Sequence, residues 1–263
     1  MGTNTNVDVQ IVEAKKDRFW FLDLKIMTFG IIFLIAMFSM FRWYQGWAGW
    51  EYGLDSTSPD FDKYWMTMLW AEIAAEVIIF SVLVSGIWIT RDKNLDQLPP
   101  KAEFKRTVFF ISMLVVYAVS FYFAGSFFAE QDASWHQTVV RDTAFTPSHI
   151  GVFYLCMPTF IILGTSIFTY AITRLPFYSR QVSIPLVLVV VGPFMLLPTV
   201  GYNEWGHAFW IMEEYFTVPL HWGFVLFGWS VLALGGVLVQ VAANELPRMM
   251  AAIYAEDGEL IKD

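Results

Sequence analysis

TVFFISMLVVYAVSFYFAGSFF, residues 107–128, runs for 22 residues without a charged side chain or a proline. At 1.5 Å rise per residue, this segment alone reaches across the roughly 30 Å hydrocarbon core of a bilayer. Comparable stretches flank it at 24–45, 65–89, 149–172, 183–202 and 219–242. Pro185, Pro193 and Pro198 interrupt the segment 183–202. Neighbouring helices can satisfy the carbonyls that a proline frees, so a kinked span is expected there. The pattern predicts an all-α, polytopic membrane helical bundle of about six transmembrane helices.

Composition agrees. Apolar residues make up 57% of the 263, aromatics 18% and charged residues 15%, against about 25% charged in soluble domains. The net charge of −8 disfavours nucleic acid, which selects a basic face. Cys156 is the sole cysteine, so an internal disulfide and a cysteine-built zinc or iron–sulfur site are both excluded. In its apolar run it reads as a small buried hydrophobe. No cleavable signal peptide is legible, so the first apolar stretch is expected to stay in the membrane. The whole chain, 1–263, reads as one transmembrane domain. It divides into a cytoplasmic segment 1–23 (with a surface helix near 9–21), a six-span bundle 24–242 and a cytoplasmic tail 243–263.

Basic residues set the orientation. Lys15, Lys16, Arg18 and Lys25 precede the first span, and Arg91, Lys93, Lys101, Lys105 and Arg106 lie between the second and third. Arg174 and Arg180 follow the fourth, and Arg248 and Lys262 the last. Only Arg42, Lys63 and Arg141 fall in the alternate loops, which are otherwise acidic: Glu51, Asp55, Asp60 and Asp62, then Glu130, Asp132 and Asp142, then Glu204, Glu213 and Glu214. This alternation predicts both termini in the cytoplasm. Trp43, Trp47, Trp50, Trp135, Trp205, Trp210 and Trp222 cluster around the acidic, outer loops, as an interfacial aromatic belt would.

All four histidines fall on that outer side, in two matching sets. Asp132, His136 and His149 form one; Asn203, His207 and His221 form the other. In each, an oxygen-bearing side chain precedes a histidine by four residues, which puts both on one helix face. Pro147 and Pro219 interrupt the run to the second histidine and break the helix. His149 and His221 are therefore expected at the start of the following span, facing back, so that each corner closes three ligands on one metal ion. Imidazole with oxygen and no thiolate suits copper, zinc, iron or nickel, and copper(II) is favoured by affinity. Three protein ligands leave an open position, as catalytic sites do. The first set is anionic and the second neutral, which suits a reduced ion such as copper(I). Asn203 could instead hydrogen-bond between helices.

Other polar groups have bland readings beside functional ones. Glu72 and Glu76 stand four apart inside the second span; they could relay protons, be protonated, or pair with another subunit. Glu204, Glu213 and Glu214 read first as a solvated loop face. Arg141 and Asp142 could pair locally or support the first site from behind.

Several segments are similar to one family. EQDASWHQTVVRDTAFTPSH (130–149), GYNEWGHAFWIMEE (201–214) and PLHWGFVLFGW (219–229) resemble the C subunit of the particulate, copper-dependent methane and ammonia monooxygenases. GLDSTSPDFDKYWM (53–66) and TRLP (173–176) fit the same family. The resemblance implies a membrane enzyme with A and B partner subunits, assembled as a trimer of heterotrimers in a bacterial cytoplasmic or intracytoplasmic membrane. With O2 and a quinol or other reductant, it would hydroxylate methane, ammonia or a short alkane. By position, Asp132, His136 and His149 match one metal site and Asn203, His207 and His221 a second, copper site, and these six residues are the expected catalytic groups. The neutral site is slightly favoured for oxygen activation in a dry cavity. Methane, ammonia and short alkanes all stay open as substrates.

Two other classes of protein also use membrane histidines. A diheme cytochrome b places each histidine pair on one continuous helix, with hemes at opposite membrane faces. Here Pro147, Pro219, Arg141, Asp142, Glu213 and Glu214 break both intervals. A structural subunit holding zinc stays open at Asp132, His136 and His149, whose chemistry fits zinc as well as copper.

Overall fold

The computed structural model describes residues 24–135, 138–139, 141, 143–191 and 228–256. Among them the chain is all-helical, with five helices long and apolar enough to cross a membrane. These are α1 (Lys25–Tyr52), α2 (Asp62–Ile89), α3 (Pro100–Asp132), α4 (Pro147–Arg174) and, after two short helices, α7 (Gly228–Ala255). The short ones are α5 (Pro176–Arg180) and α6, residues 184–191. The expected span 183–202 is thus helical over its first half, and 192–202 lies outside the described residues.

Proline placement explains the boundaries. Pro100 and Pro147 open α3 and α4 in their first turns, where the missing N–H is not needed and the fixed φ suits a helix. Pro176 ends α4 by forcing Leu175 into an extended conformation, φ −114° and ψ 120°. Inside the bundle, Pro158 and Pro247 each follow a wide, π-type stretch, Ile150–Cys156 and Val241–Glu245. A proline ring excludes the carbonyl four residues back, and a widened turn is one way to absorb that clash. Gly53 closes α1 with φ 77°, its N–H donating to the Gly49 carbonyl at 3.1 Å; the left-handed conformation favours glycine.

α3 and α4 form the centre. About half of each apolar window is buried, 50% and 56%, whereas none of the α2 window is. α1 offers one stripe, Leu34, Phe38, Gln45 and Ala48, to this centre. The core is aromatic: Phe38 meets Phe123 at 4.8 Å and Phe128 edge-on at 5.7 Å, and Phe160 packs edge-on against Tyr117 and Phe121. Lipid is as apolar as these rings, so close packing and interhelical hydrogen bonds hold the helices together. One such bond runs from the buried Tyr117 hydroxyl to the Val189 carbonyl at 2.7 Å, tying α6 to α3.

The two ends of the bundle differ in charge. At one end Arg106 pairs with Asp92 at 2.9 Å and donates to the Arg174 carbonyl at 3.1 Å; Arg174 donates to the Ile87 carbonyl at 3.0 Å. Arg180 pairs with Asp96, and Arg248 bridges the buried Glu103 and Glu245 at 2.5 and 2.6 Å. These bonds gather the basic loops at one end, and the α3–α4 corner lies at the other. The segment after 243 is helical through Glu256, and Arg248 locks that helix to the start of α3.

Candidate metal centre

The α3–α4 corner brings Asp132 and His149 together. Asp132 ends α3 and lies within the helical segment Ala129–Trp135. His149 lies in the first turn of α4, two residues after Pro147. The proline-broken corner expected from the sequence is present. His149 Nε2 faces Asp132 Oδ1 at 3.4 Å, and the imidazole is fully buried.

The rest of the imidazole is fixed. His149 Nδ1 lies 2.8 Å from the Thr143 carbonyl, an acceptor only, so Nδ1 carries a proton and donates it there. A ring N–H held by a backbone carbonyl, with the other nitrogen turned toward a carboxylate, is the arrangement that orients metal-binding histidines. Ser148 donates to Asp132 Oδ1 at 2.6 Å and steadies the carboxylate. The donor set fits a borderline cation such as copper or zinc. His136, the third expected ligand, lies outside the described residues, as do Asn203, His207 and His221. Among the described residues no group of three histidine, cysteine or carboxylate side chains converges.

Three residues that sequence reasoning passed over hold the corner in place. Gln45 of α1, fully buried, donates from Nε2 to the Pro147 carbonyl at 2.6 Å. A lone glutamine in an apolar span was the available signal. Gly151 lets α4 approach this group: a Cβ there would stand 2.8 Å from Phe128 Cδ1 and 3.0 Å from both Gln45 side-chain polar atoms. Arg42, one of the cations in an otherwise acidic end, pairs with Glu130 at 2.5 Å and lies over the Phe127 ring at 4.3 Å. It clamps the end of α3 just before Asp132. Wide turns also flank the pair, Phe123–Phe128 before Asp132 and Ile150–Cys156 after His149.

Glu72 and Glu76 lie one turn apart on the half-buried face of α2. Both Glu72 oxygens and Oε1 of Glu76 are buried with no hydrogen-bond partner among the described residues. Glu72 is within electrostatic range of the Tyr44 phenol, and Glu76 of the Cys156 thiol. Cys156 itself is buried, as expected.

These features define a class: a multi-pass helical membrane protein with a buried imidazole beside a half-buried carboxylate at the end away from its basic loops. Residues 8–251 match the family formed by the C subunits of ammonia monooxygenase and methane monooxygenase, and the chain belongs to that family. No curated protein matches it.

Proposed function

We propose that the chain is the C subunit of a copper-dependent monooxygenase complex that uses O2 to hydroxylate methane, ammonia or a short alkane. Asp132, His136 and His149 would hold one metal ion, with zinc the alternative to copper, and Asn203, His207 and His221 a second. The observation that carries this reading is the orientation of His149 by the Thr143 carbonyl toward Asp132, at 2.8 and 3.4 Å, in a chain of this family. Bound copper supplies the oxygen and electron chemistry that no side chain provides. The protein's own part is to orient and to exclude water. Ser148 and Thr143 fix the ligand atoms, and Phe127, Phe128 and Phe153 give the corner apolar walls. Such walls admit small apolar gases while strengthening electrostatic interactions inside.

In this reading the bundle has six spans and cytoplasmic termini, and the metal sites face the periplasm. A and B subunits complete a trimer of heterotrimers, and a quinol or other reductant delivers electrons. The test is metal analysis with electron paramagnetic resonance on the intact complex. A copper signal that falls in the His149→Ala complex supports the reading. A heme Soret band in place of copper overturns it.

A further inference from the structure

Two acids inside the second span have no structural use in the bundle. Both oxygens of Glu72 and Oε1 of Glu76 are buried, and none has a hydrogen-bond partner among the described residues. The titratable groups within electrostatic range of them there are the Tyr44 phenol of α1 and the Cys156 thiol of α4, besides each other. None of these is a cation. An ionised carboxylate in this setting would lack both a counter-charge and a donor, so each acid keeps its proton.

Their depth relates them to the candidate metal centre. Trp65 and Leu69 of α2 pack in one buried cluster with Ile150 of α4, the residue after His149. From that level α2 and α4 descend side by side. At 1.5 Å per residue, Glu72 lies about 5 Å and Glu76 about 10 Å past Leu69. Cys156, which Glu76 faces, lies about 10 Å past His149. The acids therefore stand one and two turns beneath the corner. The part of α4 that packs against α2 here includes its wide stretch, Ile150–Cys156, and Pro158 behind it brings no N–H to those carbonyls. Widened turns of this kind recur at functional sites. Tyr44 continues the polar track towards the outer end. Its hydroxyl donates to the Tyr64 carbonyl at 2.7 Å, two residues past the exposed Asp62.

We propose that Glu72 and Glu76 form a proton store for the candidate metal centre, with Glu72 the donor beneath the corner and Glu76 the reserve behind it. This role rests on the monooxygenase reading of the corner. Hydroxylation of R–H by O2 takes two electrons and two protons. One oxygen atom enters R–OH, and the other leaves as water with both protons. The reductant supplies the electrons. The protons must arrive where the water forms, and two neutral acids hold that number. Glu72 gives its proton towards the corner through bound water, Glu76 reprotonates Glu72, and the acidic loop refills both past Tyr44. Carboxyl groups inside membrane helices serve proton relays in pumps and transporters.

The test is infrared difference spectroscopy of the intact complex in nanodiscs on exchange from H2O to D2O, read beside turnover and its solvent isotope effect. At neutral pH, Glu72→Gln and Glu76→Gln should each remove one carboxylic-acid C=O band that the wild type shows. Glutamine keeps the size of the side chain, so both variants should assemble with unchanged metal content. Turnover should fall about a hundredfold in Glu72→Gln with a larger solvent isotope effect, and Glu72→Asp should recover part of it. A role in packing alone would not produce that pattern. Carboxylates found ionised in the wild type, as pairing with a cation of another subunit would make them, overturn the proposal. So does wild-type turnover with an unchanged isotope effect in both glutamine variants. Metal content reads separately on the proposed function, so the two failures are distinguishable.

Discussion

Ser148 and Asp132 meet across the α3–α4 corner, hydroxyl to Oδ1 at 2.6 Å, and the same Oδ1 faces His149 Nε2 at 3.4 Å. The serine is fully buried, so this bond governs how the carboxylate presents its oxygen. Groups that orient a metal ligand in this way typically contribute about 10–100-fold in metal affinity. Ser148→Ala should weaken metal binding by roughly that range while the complex still assembles, as measured by metal retention against a chelator series.

Gln45 joins α1 to the first turn of α4 through the Pro147 carbonyl. Gln45→Leu removes this side-chain hydrogen bond between the helices, a loss of about 0.5–1.5 kcal/mol. The expected outcome is a lower thermal midpoint of the complex in nanodiscs, together with looser metal binding at the corner that Pro147 opens.

Gly151→Ala should act by overpacking. Its Cβ would meet Phe128 at 2.8 Å and Gln45 at 3.0 Å, and both of those side chains are fully buried, so neither can swing away. A loss of about 1–3 kcal/mol is expected, with activity falling more than metal content as the walls of the site shift. Thermal unfolding and turnover, measured side by side, check this.

At the far end, Arg248 holds the carboxylates of Glu103 and Glu245, which are only 7% and 9% exposed. Arg248→Gln leaves two buried carboxylates close together. Half of the arginine side chain is exposed, so solvent screening trims the penalty to about 1–3 kcal/mol. Limited proteolysis should then cut within Leu246–Glu256, where the wild type resists.

The spans were legible because apolar runs of that length have few other uses, and the corner because Pro147 favours the first turn of a new helix. What the apolar runs do not mark is how far each helix continues through polar residues. Gln45 and Glu103 lie where α1 and α3 run on past the expected apolar stretches, α1 to Tyr52 and α3 from Pro100. Each polar group has a specific partner, Pro147 for Gln45 and Arg248 for Glu103, and a partner distant in sequence leaves no local mark. In the candidate site, the meeting of Asp132 and His149 was readable from their types and spacing around Pro147. Thr143 was not, since it acts through a backbone carbonyl that every residue possesses. Gly151 was not either, since its role is to be small beside Phe128.

The central claim is that Asp132, His136 and His149, and separately Asn203, His207 and His221, hold metal ions in a monooxygenase. The most direct measurement is metal content and substrate turnover of intact complexes carrying Asp132→Ala with His149→Ala, or Asn203→Ala with His207→Ala. Ammonia, methane and propane should be compared as substrates. Each pair of changes should remove its own metal ion, and the second should abolish turnover of whichever substrate the wild type oxidises. Wild-type metal content and full turnover in both variant complexes would contradict it.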